Sequence, residues 1–181
     1  MYFPDLVFVY ENYVRACGKC NRKKGEQFGI LNAAGQLISL TRQRGVSPQP
    51  PPKGKPVLLN PRREDATQWL MLDLRDTFEF ASMLALSSTE RIRADYLIKV
   101  LPLNDDTLVA ARREAHDNYR ARLVEYVVRR EAGASVSELR KLINALQRMQ
   151  HPTVWFEIKR QSSRLKDWQP LFAQAPEALT W

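Results

Sequence analysis

Over residues 105–131, Leu108, Ala111, Ala115, Tyr119, Leu123, Tyr126 and Val127 recur at steps of three and four. That spacing places side chains on one face of an α-helix and fixes the back of the chain as mainly helical. Gly133 supplies a stop, and Ser135-Val136-Ser137-Glu138 supplies the capping box of a next helix reaching about residue 149. Ser87-Ser88-Thr89-Glu90 opens an earlier helix to about residue 100, which Pro102 ends. His151-Pro152 breaks the chain again, with His151 read as a helix C-terminal residue, and short helices are expected at 153–160 and 166–173. Trp155, Phe156, Trp168, Leu171 and Phe172 read as the core of these terminal helices, and residues 173–181 as an apolar segment that docks on the body or on a partner.

The front of the chain has a different texture. Residues 2–10 are rich in aromatic and β-branched side chains and suit a strand, followed by a brief helix from about residue 12. Residues 29–41 read as a hairpin turning through Asn32-Ala33-Ala34-Gly35. Residues 46–56 are proline-rich and read as a stiff surface connector, while 69–74 and 77–81 read as two short strands. The expected fold is α+β, mainly α, with a front domain over 1–63 and a mostly helical domain over 64–181.

Charge sharpens that division. Residues 1–65 carry 11 Lys and Arg against 5 Asp and Glu, whereas residues 66–181 carry 17 against 15. The net charge of +8 is therefore concentrated in the front third, the footprint of a chain that meets a polyanion. No apolar run is long enough to span a membrane and no secretory leader pattern opens the chain, so a cytoplasmic protein with no membrane partner is expected.

The excess charge surrounds Cys17-Gly18-Lys19-Cys20-Asn21-Arg22-Lys23-Lys24-Gly25. Two thiolates three residues apart grip one face of a tetrahedral zinc ion. The chain has no other cysteine, so the knuckle is half of a structural Zn²⁺ site. Completion by His116 and His151, 35 positions apart, does not match finger spacing. A homodimer sharing one zinc between two CxxC pairs is another route. Arg15, Lys19, Arg22, Lys23 and Lys24 beside the knuckle read as phosphate contacts, against the plainer alternative of a solvated face. Tyr10 and Tyr13 read as core rather than as stacking platforms for bases.

The segment from Tyr10 through Asn12, Cys17, Cys20 and Asn21 to Gly25 resembles the second half of the HNH endonuclease motif, and Leu58-Leu59-Asn60-Pro61 resembles the Leu-x-Asn-Pro stretch that follows it. The closest subgroup is that of bacterial defence operons, often encoded beside an ATPase, and the likeness covers about the first third of the chain. It implies a ββα-metal arrangement in which a hairpin and a helix clamp one divalent ion. Carried onto this sequence, Asn12 braces the hairpin, Asn21 ligates the catalytic metal, most simply Mg²⁺, and Cys17 and Cys20 hold half of a four-cysteine zinc site. The implied reaction is metal-dependent hydrolysis of phosphodiester bonds, most simply in double-stranded DNA, with an operon-encoded ATPase as partner.

The likeness also defines what this chain lacks. The family's first CxxC and its general-base histidine precede the segment matching Phe3-Pro4-Asp5, and no histidine occurs before His116. The expectation is an N-terminally truncated, weak or inactive nuclease; a degenerate member and a site completed by another chain are the other readings. The alternative function is a catalytically dead, basic adaptor that binds nucleic acid or protein.

Overall fold

The computed structural model describes residues 16–40 and 52–181. Helices dominate, with two small antiparallel sheets, so the class is α+β, mainly α. The chain divides into two compact units: among the described residues, the first holds 16–40, 52–71 and 80–103, and the second holds 72–79 and 104–181. Compactness thus divides the chain elsewhere than after residue 63, because the helix that follows belongs to the core of the front unit. The expected strand at 2–10 and residues 41–51, including most of the proline-rich stretch, lie outside the described residues.

The first unit begins with α1 (Gly18–Lys24), which runs through a short turn into β1 (Phe28–Leu31). β1 pairs antiparallel with β2 (Leu37–Leu40), in the register Phe28 to Leu40 and Leu31 to Leu37, and this is the expected hairpin. Asn32 builds its turn: its side-chain oxygen accepts the amides of Ala34 at 3.0 Å and Gln36 at 2.9 Å. The end of the proline-rich segment forms β3 (Lys55–Pro56), paired with the other side of β1. Pro56 is tolerated there because β3 is an edge strand of the order β2-β1-β3.

Over this sheet packs α2 (Ser88–Val100), opened by the Ser87–Glu90 capping box. Leu31, Val57, Tyr96 and Val100 form one buried cluster, and Leu70, Ala94 and Leu97 another. Val57 and Val100 are almost wholly buried, each worth on the order of 1.5–3 kcal/mol of hydrophobic transfer. Gly29 makes the approach possible: an added Cβ would lie 2.9 Å from the Tyr96 ring and 3.0 Å from Leu37.

β4 (Leu70–Leu72) and β5 (Phe80–Ser82) pair as the second sheet, and the division between units falls at its inner end. Both are shorter than the strands read from sequence. The Asp73 carboxylate accepts the amides of Arg75 and Thr77, each at 3.0 Å, and turns the chain early. Phe78 then adopts a left-handed φ of 59°, so Phe78 and Glu79 do not continue a strand.

The second unit is built on α3 (Asp106–Glu131), with α4 (Val136–Gln147), α5 (Pro152–Arg160) and α6 (Gln169–Gln174). Asp105 caps α3, accepting the Thr107 amide at 3.2 Å. Ala115, Tyr119, Leu123, Tyr126 and Val127 are buried as the periodicity predicts, but the stripe also contains Arg112, which donates to the Phe78 carbonyl at 3.2 Å. Burial lowers the Arg112 pKa, opposed by the charge of Glu79. Trp155, Trp168 and Phe172 form an aromatic core with Tyr119. Phe156, expected in that core, is 40% exposed beneath the Arg160 guanidinium.

His151 also departs from its expected place. α4 stops at Gln147, and His151 occupies the N-cap position of α5 with a left-handed φ of 58°. Its imidazole therefore sits at the positive end of a helix rather than the negative end. The final segment docks within its own unit: Trp181 packs edge-on against Tyr126 at 4.7 Å, and its backbone oxygen accepts the Trp155 indole N–H at 3.3 Å. Among the described residues no helix is long and apolar enough to cross a membrane.

Candidate metal and nucleic-acid site

The CxxC knuckle opens a helix. Cys17 is the extended N-cap of α1, and its sulfur accepts the Cys20 amide at 3.2 Å. α1 thus starts directly after the first cysteine, while residues 12–15, where the sequence places the helix start, lie outside the described residues. Both cysteines are thiols, Cys17 exposed and Cys20 partly covered. Hydrogen bonds from the Cys20 thiol and amide hold the Cys17 thiol below its ordinary pKa against the opposing effect of desolvation, with a smaller contribution from the amide and charge of Lys19. Both donors favour a thiolate, the form that binds metal.

The residues after the thiols sort by helix geometry. Positions 17, 20, 21 and 24 stand in i, i+3, i+4 and i+7 relation, so Cys17, Cys20, Asn21 and Lys24 share one side of α1. Lys19 and Lys23 fall on the opposite side, with Arg22 between; an added Cβ on Gly18 would lie 3.4 Å from the Arg22 guanidinium. None of the residues of α1 is buried. The whole element therefore presents its chemistry outward, anchored by Gly25 and by the Gln27 side chain, which donates to the Lys23 carbonyl at 3.1 Å. The helix C-terminus alone accounts for some of this basic residue placement, since Arg22, Lys23 and Lys24 lie in its last turn.

The donor set fits half of a zinc site. Two thiols stand at adjoining positions of one turn, and among the described residues no group of three or more His, Cys, Asp or Glu side chains gathers to hold a metal. Asn21 offers one amide oxygen to a hard cation. Asn12 and Arg15 lie outside the described residues.

His116 belongs to the second unit, where it lies edge-on between Phe78 at 5.4 Å and Trp168 at 5.2 Å. The Trp168 indole can only donate, so His116 Nε2 accepts its proton at 2.9 Å, and Nδ1–H donates to Asp117 at 3.1 Å. Both nitrogens are engaged, which makes His116 a packing residue rather than a ligand or base.

The Leu58-Leu59-Asn60-Pro61 segment has a structural role that its motif did not announce. The Asn60 side chain accepts the Arg62 amide at 3.0 Å, and its carbonyl accepts the amides of Arg63 and Glu64. Glu64 reaches back to the Asn60 amide at 2.8 Å and pairs with Arg93 at 2.7 Å. Arg93 also donates to the Val57 carbonyl and stacks 4.6 Å over the Trp69 ring. Its hydrogen bond is the main cause of a lowered Glu64 pKa. The spacing of Asn60 and Glu64 hints at this turn in the sequence; Arg93, 29 residues away, leaves no such signal.

Compared with protein-family models, curated proteins and solved structures, the chain matches none.

Proposed function

We propose that this chain supplies the metal-anchored, phosphate-gripping part of an HNH-type endonuclease acting on double-stranded DNA. The observation that carries the reading is α1 itself: a thiol pair set by an N–H···S bond, Asn21 on the same side, and Lys19, Arg22, Lys23 and Lys24 around an element with no buried residue. Cys17 and Cys20 would hold a structural zinc, which fixes the start of α1 relative to its surroundings. Asn21 would offer its amide oxygen to a divalent cation, which when bound polarises a phosphodiester and its departing oxygen. The lysines and arginines would track the backbone, neutralising charge without reading sequence. Asn12 would brace this arrangement and Arg15 extend its basic surface. The helical second unit would serve as scaffold and as the surface for a partner such as an ATPase. Thiols of this kind suit a reducing cytoplasm.

A second reading is supported by the lack, among the described residues, of a third metal-ligating side chain beside the thiols. On that reading the chain is a basic adaptor that binds nucleic acid without cutting it. Plasmid nicking and duplex binding by the protein, with and without Mg²⁺, separate the two. The nuclease reading predicts Mg²⁺-dependent nicking that Asn21→Ala abolishes. Binding without nicking, unchanged by Asn21→Ala but lost on charge reversal at Lys23 and Lys24, favours the adaptor. No affinity for duplex DNA at any salt concentration overturns both.

A further inference from the structure

The two thiols carry a chemistry that does not depend on metal. Cys17 and Cys20 are the only sulfurs of their type in the chain, three residues apart at the first turn of α1. Residues at that separation in a helical turn lie within the roughly 4.4–6.8 Å Cα window that a disulfide requires. The turn already brings them together: the Cys17 sulfur accepts the Cys20 backbone amide at 3.2 Å. They are not equivalent, since Cys17 is exposed and Cys20 partly covered. No residue of α1 is buried, so a rearrangement of this turn disturbs no core packing.

We propose that Cys17 and Cys20 are an oxidisable dithiol, converted in the metal-free protein to an intramolecular disulfide by a small disulfide such as oxidised glutathione. Cys17 thiolate attacks one glutathione sulfur, forming a mixed disulfide and expelling glutathione thiolate. Cys20, deprotonated by solvent, then attacks the Cys17 sulfur and expels the second glutathione. The protein loses two electrons and two protons, and one oxidised glutathione becomes two reduced molecules. The exposure difference makes Cys17 the entering residue and Cys20 the resolving one. Zinc requires the same two sulfurs as thiolates, so disulfide and metal exclude each other. This inference does not rest on the nuclease reading: it concerns metal-free protein and is read by mass and thiol counting, not by DNA cleavage.

The test treats chelated, metal-free protein with oxidised glutathione and follows intact mass, free thiols and subsequent zinc uptake. The wild type is expected to finish two hydrogens lighter, with no titratable thiol and no zinc uptake until dithiothreitol is added. Cys20→Ser is expected to stop as a one-glutathione adduct, and Cys17→Ser to react about tenfold more slowly than Cys20→Ser, a difference erased in urea. A wild type that accumulates glutathione adducts, or links only between chains, or stays a dithiol while Cys20→Ser is modified, would overturn the proposal. So would equal rates for the two single variants in the native protein.

Discussion

Glu157 and Arg160 offer a test of how burial sets the cost of losing a charge partner. The Glu157 side chain is 2% exposed and that of Arg160 25% exposed. Arg160 approaches the carboxylate with two nitrogens, Nε at 3.1 Å and Nη2 closer still. Gln161 Nε2 donates to the same carboxylate at 2.8 Å while also donating to the Leu72 carbonyl. Removing either partner breaks the same pair, yet the groups left behind differ. Arg160→Met keeps an aliphatic stem over Phe156 but strands a buried carboxylate with one amide donor, a loss of about 3–5 kcal/mol for a buried pair cut on one side. Glu157→Gln keeps an acceptor for both neighbours and leaves a guanidinium that already reaches water, a loss of about 1–2 kcal/mol. Urea unfolding followed by tryptophan fluorescence reports this unit, because Trp155, Trp168 and Trp181 lie in it and Trp69 in the other. Arg160→Met is therefore predicted to cost more than Glu157→Gln by about 2 kcal/mol. Equal losses, or a larger loss for Glu157→Gln, would refute the claim that the buried carboxylate dominates.

Two further outcomes follow from the first unit. Gly29→Ala should destabilise it by about 1–3 kcal/mol, because both the Tyr96 ring and Leu37 must give way to the new Cβ; a melting temperature equal to wild type would show that the sheet yields without cost. The Glu64 pKa is lowered chiefly by its hydrogen bond from Arg93, so the pair stabilises the fold above the ordinary carboxylate range and that contribution is lost as pH falls through the folded pKa. Glu64→Gln should flatten the acid limb of a stability–pH profile, and an identical limb in the variant would contradict the assignment.

The sequence is most legible where local chemistry and burial agree. Ser87–Glu90 and Ser135–Glu138 form their capping boxes, and the α3 stripe is buried from Ala115 to Val127. Periodicity cannot anticipate Arg112, because a buried guanidinium is decided by a carbonyl 34 residues distant. Phe78 shows the same limit: an aromatic among strand-like neighbours is turned into the left-handed region once Asp73 caps the preceding turn. His151 reads from sequence as the end of a helix, yet the proline after it opens α5 as well as breaking the chain. At the candidate site, CxxC spacing indicates two sulfurs able to act together, and the structure adds their unequal exposure and the N–H···S hydrogen bond from Cys20 to Cys17. The division of faces on α1 follows from knowing where the helix starts, one residue after Cys17.

The most direct test of α1 as a phosphate-binding element is the affinity of the zinc-loaded protein for duplex DNA across a range of salt concentrations. The wild type is compared with the Lys23→Glu/Lys24→Glu variant. Removing two phosphate-binding cations should weaken binding uniformly across sequences and reduce the slope of log affinity against log salt by about 1.8. A variant with the wild-type slope and affinity would show that these lysines face only solvent and would contradict the account.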